Sequence, residues 1–355
     1  VPMRLFGYFS FFFVLVLSMN AMGQSSVNTK PNINGPMDLQ VNSFFGNLYY
    51  HRSDIIIYGT GFPVDLSFTY NSGSLDKNFG YGYGWNFTYN MRYDVDSLGN
   101  IIIQRSTGSE DVFTLDAGNY ESPKGVYETL EEYQAGKFKL TQKYGRQYFF
   151  DNATHRRLTS IVDLNGNTLT LSYTDSLLTG ITDPSGRSIS FAWAGSNMTQ
   201  ITDANVSPAR SWSYQYDPNG NMTQVTDPVG NTEQYRYGNS HEMEGLIDGR
   251  GSTVSISYRN AGAVNRVISC ATDQNFSFSF EGNNETFLIE NVRGNNQITI
   301  YTFDENDRLE SVTYPDGGTN SFTYDANDNL ESFTDERGNT TSSVSYTHLR
   351  AHETS

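Results

Sequence analysis

The sequence predicts an all-β protein in which antiparallel hairpin repeats form a curled sheet after a strand-rich N-terminal domain, and three observations predict it. First, 24 Tyr and 23 Phe accompany 32 Gly while only 17% of the 355 residues are charged. That mixture supplies large apolar bodies for half-exposed sheets and many turns between them. Second, apolar residues alternate with polar ones at Val64, Leu66, Phe68 and Tyr70, and again from Tyr83 through Trp85, Phe87, Tyr89 and Met91 to Tyr93. A period of two is the mark of a strand that buries one face. Third, the chain repeats itself: Asp163, Asp183, Asp203, Asp227 and Asp248 follow one another at 20, 20, 24 and 21 residues.

In chain order, Arg4 precedes the apolar run Leu5 to Leu17, and Ala21 and Gly23 put small residues ahead of Gln24, the pattern of a secretory signal peptide over residues 1–23. The run is shorter than the ~20 residues of a spanning helix, so no membrane span is expected once the signal is cleaved. No Cys follows it, so no lipid anchor is expected either. Translation starts at Met3, or at Val1 from an alternative start codon. A polar linker occupies residues 24–37, and residues 38–157 form the N-terminal β domain.

Within that domain, strands are expected at Ile101 to Gln104, Val112 to Leu115, Phe138 to Thr141 and Gln147 to Phe150. Val126 to Gln134, with Glu128, Glu131 and Glu132, hints at a helix. Gly80-Tyr-Gly-Tyr-Gly84 runs into a strand rather than a helix N-terminus, so it is no nucleotide loop.

From Leu158 to Tyr346 the repeats follow, eight or nine units, some degenerate. Tyr216 to Tyr237 is the clearest copy. In it Asp217-Pro-Asn-Gly220 and Asp227-Pro-Val-Gly230 both carry the residue order of a type I turn, and Tyr235 and Tyr237 share one strand face. Such a unit cannot bury its apolar face alone, so neighbours add side by side into a sheet whose twist makes it curl.

The pattern Tyr-Asp-x-x-Gly-Asn-Leu-x-x-Val-Thr-Asp-Pro-x-Gly-Asn-Thr-x-x-Tyr-x-Tyr, almost whole from Tyr216 to Tyr237, resembles the YD repeat of the Rhs and teneurin families. Phe62-Pro-Val-Asp-Leu-Ser-Phe-Thr-Tyr-Asn-Ser72, Phe79-Gly-Tyr-Gly-Tyr-Gly-Trp-Asn-Phe-Thr-Tyr89 and Gly145-Arg-Gln-Tyr-Phe-Phe-Asp151 resemble the N-terminal domain of bacterial Rhs proteins, so the likeness spans about Asp38 to Tyr346. It implies part of a YD-repeat β-shell, related to toxin-complex shells, that encloses a C-terminal toxin domain or other cargo. Related repeats serve adhesion, which makes a glycan or cell-surface receptor the alternative partner. The family's closing Asp-Pro-x-Gly-Leu element and variable toxin domain are not in this sequence, and Thr347 to Ser355 resembles a non-native tail, so a truncated fragment is expected.

The chemistry is sparse. A formal charge of −16 and the lack of any Lys/Arg run argue against nucleic acid as a partner. Of the five His, His348 and His352 fall in the suspect tail, His51 and His155 stand alone, and His241-Glu-Met-Glu244 lacks a second ligand cluster. Cys270 is the single cysteine, without a disulfide partner in the chain and with no His beside it. Paired carboxylates for glycoside hydrolysis could arise anywhere in a sheet, yet an Asp repeated once per unit reads as a turn former.

Asp325-Ala-Asn-Asp-Asn329, with Glu336 twelfth, mimics a calcium loop, but Leu330 stands where that loop needs Gly. The sequons at Asn86, Asn152, Asn197, Asn221 and Asn275 read as coincidence in an Asn-rich chain, and Trp193, Trp212 and Tyr235 as core more than as sugar platforms. The expectation is a secreted or surface-associated, non-enzymatic structural protein with no cofactor and no catalytic or metal site. An extracellular glycoside hydrolase is the least favoured reading.

Overall fold

The computed structural model describes residues 30–260, 263–269, 274–281, 284–292, 295–326 and 328–342. The signal peptide, most of the linker, Cys270, His348, His352 and the tail lie outside them. Apart from two three-residue 3-10 turns, the described regular structure is strand.

Five strands, β1 (Asn32–Asn34), β2 (Leu39–Asn42), β3 (Leu48–Ile57), β4 (Val64–Asn71) and β5 (Trp85–Phe87), form one antiparallel sheet, each paired with its chain neighbour. We call it the inner sheet. A second, wide sheet begins with β6 (Arg92–Val95), β7 (Ile101–Gln104), β8 (Glu110–Asp116), β9 (Asn119–Glu121), β10 (Thr129–Gln134), β11 (Lys137–Thr141) and β12 (Gln147–Phe150). It continues with β13 (Ser160–Val162) and on, strand by strand, to β30 (Thr340–Ser342). No ladder among the described residues joins β30 back to β6, so the ribbon is not closed into a barrel. The ladder passes through residue 157 without a break, because β12 pairs with β13 at Tyr148↔Ile161. Strands β6 to β12, read from sequence as part of the N-terminal domain, thus hydrogen-bond in series with the repeats.

The expected strands at 101–104, 138–141 and 147–150 are present as β7, β11 and β12. Two expectations are corrected. The helix hinted at over Val126 to Gln134 is strand β10 from Thr129: Leu130 is buried opposite Leu140, and Glu131 pairs with Lys139 across the ladder at 2.5 Å. Cross-strand burial and charge outweigh the local helix preference of the glutamates. The long alternation from Tyr83 to Tyr93 is not one strand. It breaks after β5, where Asn90 N–H donates to Phe87 O at 2.8 Å and Asn90 Nδ2 to Asn86 Oδ1 at 2.6 Å. That turn carries the chain from the inner sheet to the wide one, with both Asn side chains buried.

Along the repeats burial alternates. In β14 (Thr168–Thr174) Leu169 and Leu171 are buried while Thr170 and Ser172 are exposed, and in β16 (Ser188–Ala194) Ile189 and Phe191 are buried between Ser188, Ser190 and Ala192. The apolar face looks inward onto the inner sheet: Phe87 meets Phe191, Phe68 meets Tyr214, Trp85 meets Tyr235 and Phe44 meets Phe303. One inner sheet therefore touches strands spread over most of the ribbon. The outer face is mainly Thr, Ser and Gln, joined across strands by contacts such as Thr202 with Ser211 and Thr323 with Ser332.

Serial pairing sends alternate turns to opposite rims. Asp163, Asp183, Asp203, Asp227 and Asp248 all begin turns on one rim, and Asp217, Asp304 and Asp325 begin turns on the other. The Tyr127 hydroxyl, in the loop between β9 and β10, hydrogen-bonds Asn329 Oδ1 in the turn before β29 (Leu330–Thr334). These two segments belong to opposite rims, so the ribbon winds as a spiral in which late strands sit beside early ones.

Candidate functional site: the seam between inner sheet and repeats

Two devices recur in the repeats and shape the seam. The first is the turn. Gly220 N–H donates to Asp217 O and Asp217 N–H to Asn221 O, both at 3.0 Å, while Asp217 Oδ1 and Oδ2 accept from Asn221 N–H and Nδ2, both at 2.9 Å. Asp227 and Asn231 repeat this, and at Asp183 and Asp304 an Arg takes the fifth place, Arg187 Nε and Arg308 Nε donating at 2.7 and 2.8 Å. The fourth residue has positive φ, as in a three-residue hairpin loop with a bulge: Gly220 at 85°, Gly230 at 91°, and Asp307 and Asp328 at 61° and 64°. The Asp residues are turn formers, as expected. The role of the fifth residue was missed, although an Asn four places after Asp was visible in each good copy.

These carboxylates set an acid limit. Side-chain bonding from Asn167 and Asn339 holds Asp163 and Asp335 below the usual carboxylate value of about 3.9. Asp227 is held down too, its hydrogen bonds outweighing a burial that pushes the other way. A lowered folded value means stability that is present above pH ~5 and lost as pH falls through it. Thermal unfolding midpoints should therefore fall below pH 4, and a midpoint unchanged from pH 5 to pH 2.5 would contradict the turn chemistry.

The second device is a clasp by the repeat's aromatic. Tyr237 Oη donates to Met222 O, Tyr258 to Met243 O, Tyr324 to Leu309 O and Tyr173 to Leu158 O, each 15 residues back and 2.8–2.9 Å long. Trp193 Nε1 does the same to Leu178 O at 2.7 Å. The Tyr of the motif thus closes its own hairpin on the inner face, which a reading of residue types alone did not show.

The inner sheet locks onto this face. Trp85 is buried against Tyr50, Tyr70 and Tyr235, and its Nε1 donates to Tyr237 Oη at 2.8 Å. The Tyr70 hydroxyl donates to His241 O and accepts from Met243 N–H at 2.8 Å. Glycines permit the closest approach: a Cβ on Gly80, whose φ is +91°, would lie 2.4 Å from Ser196 O. One on Gly230, also at +91°, would meet nothing within 4 Å. Gly230→Ala should therefore cost only the left-handed strain of about 1–2 kcal/mol, whereas Gly80→Ala adds overpacking of about 1–3 kcal/mol. Equal denaturation midpoints for the two variants would refute the close packing.

At the centre of the seam lies a charged cluster that sequence reasoning did not find. A bulge between Ser53 and Ile55 leaves Asp54 unpaired in the ladder and turns its side chain inward beside Arg52. Arg52 Nη2 pairs with Asp54 Oδ1, the Tyr214 hydroxyl bonds Asp54 Oδ2, and Tyr50 and Tyr235 hydroxyls both donate to Glu233 Oε1, Tyr50 at 2.8 Å. Arg52 Nε stands 4.0 Å from Glu233 Oε2, and its buried Nη1 has no hydrogen-bond partner. The Asp54 side chain is 1% exposed and that of Glu233 22%. Burial pushes Asp54 up to about 6 against the pull of Arg52 and Tyr214. Burial also raises Tyr50, Tyr214 and Tyr235, so the hydroxyls stay protonated.

The described histidines do not converge. His51 is exposed, His155 sits in another turn, and His241 stacks on Tyr83 at 3.8 Å with Nδ1 2.7 Å from Asn221 Oδ1. Asp325 is engaged by Asn329 through both carboxylate oxygens, as Asp163 is by Asn167, Asp217 by Asn221, Asp227 by Asn231 and Asp335 by Asn339. Among the described residues no three His, Cys, Asp or Glu side chains are arranged to hold a metal ion. Trp212 and Tyr235 are buried core, and so are the sequon residues Asn86 and Asn221. Among the described residues no helix is long and apolar enough to cross a membrane.

Comparison with known proteins places these features. The RHS Repeat model matches residues 210–232 and 216–253, and a domain of unknown function, DUF6531, matches residues 39–113. The tRNA nuclease WapA of Bacillus subtilis is 31% identical over 138 residues, and the tRNA3(Ser)-specific nuclease WapA of Bacillus spizizenii 29% over 136. In both cases 38% of this chain is covered and only 6% of the relative. A crystal structure of TcdB2-TccC3 overlaps 86% of this chain and 20% of its own at 13% identity, with a TM-score of 0.40, too low to define a shared shape. The matched residues 210–253 hold the Asp turns and tyrosine clasp that recur on both sides of them, so the chain carries Rhs/YD repeats.

Proposed function

We propose that this chain is a structural, non-enzymatic part of a secreted or surface Rhs/YD-repeat protein, whose spiral sheet helps to enclose a C-terminal toxin domain or other protein cargo. One observation carries the reading: every strand from β6 to β30 pairs with its chain neighbour, with the apolar side in and the Thr/Ser/Gln side out. A continuous ladder of this kind leaves no gap between strands for water or a protease. The inner sheet fills part of the concave side, so in this reading it seals the end of the enclosure that lies nearest the N-terminus. Apart from Arg52 Nη1, the polar groups of the seam cluster bond one another, which supports a scaffold over a catalyst. The nuclease activity named for the WapA relatives belongs to proteins of which this chain matches a small part. The apolar run Leu5 to Leu17 supports export.

The test is protease protection. The polypeptide encoded together with the sequence that follows residue 342 in its gene is treated with trypsin before and after mild unfolding of the repeats. Enclosure predicts that the downstream segment survives in the native protein and is digested once the sheet opens. Digestion at the rate of the free segment in both states would sink the reading, as would turnover of tRNA or polysaccharide by the purified 355-residue chain.

A further inference from the structure

The cluster at the seam holds one more carboxyl group than cations. Arg52 supplies a single positive charge to two carboxylates, Asp54 and Glu233, and every other group around them is a neutral hydroxyl. Asp54 faces Arg52 of its own strand β3, Tyr214 from β18 (Arg210–Tyr216) and Glu233 from β20 (Thr232–Tyr237), and Tyr50 of β3 and Tyr235 of β20 bond Glu233 in turn. Asp38, ahead of β2, faces Tyr50 from further off. Half of this set belongs to the inner sheet and half to the repeats, so whatever the cluster gains or loses is felt where the two sheets meet.

We infer that the Arg52–Asp54–Glu233 cluster is a proton-linked clamp in which uptake of one proton by Asp54 tightens the hold of the inner sheet on the repeats. Asp54 receives the proton because its side chain is nearly sealed from water, whereas Glu233 keeps partial access. An excess buried negative charge is costly, and a shared proton removes it while the Tyr214 hydroxyl, able to donate or accept, keeps its contact. The sign is opposite to that of the turn carboxylates. Asp54 is raised by burial to about 6, above its unfolded value, so its contribution to stability is fully present in acid and lost as pH rises through 6. The clamp is tight near pH 5 and loose at pH 8. It does not depend on what the shell encloses.

Hydrogen exchange on the intact chain reads this directly, because the amides of β3 report opening of the seam. After correction for intrinsic rates, the opening equilibrium of β3 should be about tenfold smaller at pH 5 than at pH 8, the ratio set by a carboxyl that titrates near 6 when folded and near 3.9 when unfolded. Asp54→Asn, neutral at every pH, should abolish that difference and hold β3 at pH 8 as tightly as the parent does at pH 5. If Asp54→Asn fails to fold, Glu233→Gln serves, since it leaves Arg52 with one carboxylate and should bring the response well below tenfold, burial alone remaining to raise Asp54. An equal opening equilibrium at the two pH values in the parent chain, a tighter β3 at pH 8, or a tenfold response that persists in either variant would overturn the clamp.

Discussion

Replacing Arg52 by Met is expected to destabilise the protein by about 3–5 kcal/mol at pH 8, the range found when one partner of a buried ion pair is removed. Methionine fills much the same volume, so little of the loss comes from packing. It comes from Asp54 and Glu233, which keep their burial and lose their only cation. The denaturant midpoint should fall with little change in slope. A second measurement separates this account from a general packing defect: Arg52→Met combined with Asp54→Leu and Glu233→Gln should recover most of the loss, because an apolar replacement of a whole buried cluster is commonly neutral or better. Additive losses in the combined variant would show that the charges are not the reason.

Trp85→Ala is the second large effect. Trp85 is 1% exposed, lies among Tyr50, Tyr70 and Tyr235, and gives its indole N–H to Tyr237. Truncating a buried Trp costs about 3–5 kcal/mol through lost transfer energy and the cavity left behind. Here the cavity opens between two sheets. The inner sheet should therefore loosen before the repeats do. Trp193 and Trp212, the other two tryptophans, both lie on the repeat side of this interior, so their emission should shift to the red at lower denaturant than the loss of far-ultraviolet strand signal. Coincident transitions in the variant would mean that the two sheets unfold as one unit. With net stabilities of folded domains near 5–15 kcal/mol, either substitution removes a large share.

Much of this architecture was legible in the sequence because repeats repeat their local chemistry. The Asp217 and Asp227 turns, the inward Tyr235 and strands such as β11 and β12 follow from residue order and period two. Three features were not legible, each for a physical reason. Burial decided β10, where Leu130 opposite Leu140 overrode glutamates that favour helix in isolation. A turn set by two buried asparagines split the Tyr83 to Tyr93 alternation between two sheets, and alternation has no marker for a change of sheet. The seam cluster draws Arg52, Asp54 and Glu233 from positions about 180 residues apart and depends on a one-residue bulge, so no local motif announces it. What held in sequence was the tile, and what escaped was the contact between tiles and the sheet beneath them.

Strict neighbour pairing also governs how such a chain acquires its structure. Every ladder of the wide sheet joins segments adjacent along the polypeptide, so each new hairpin closes a short loop at small entropic cost and extends a template already made. Distant partners meet in the contacts to the inner sheet, which link Trp85 with Tyr237 and Tyr50 with Glu233 across 152 and 183 residues, and where turns of the spiral touch, as at Tyr127 and Asn329. Those distant partners come last in order of synthesis, and the segment they require comes first. The inner sheet thus serves as a mandrel: present from the start, it offers each successive hairpin an apolar surface to wind onto, so that growth of the spiral proceeds by addition at one end rather than by search.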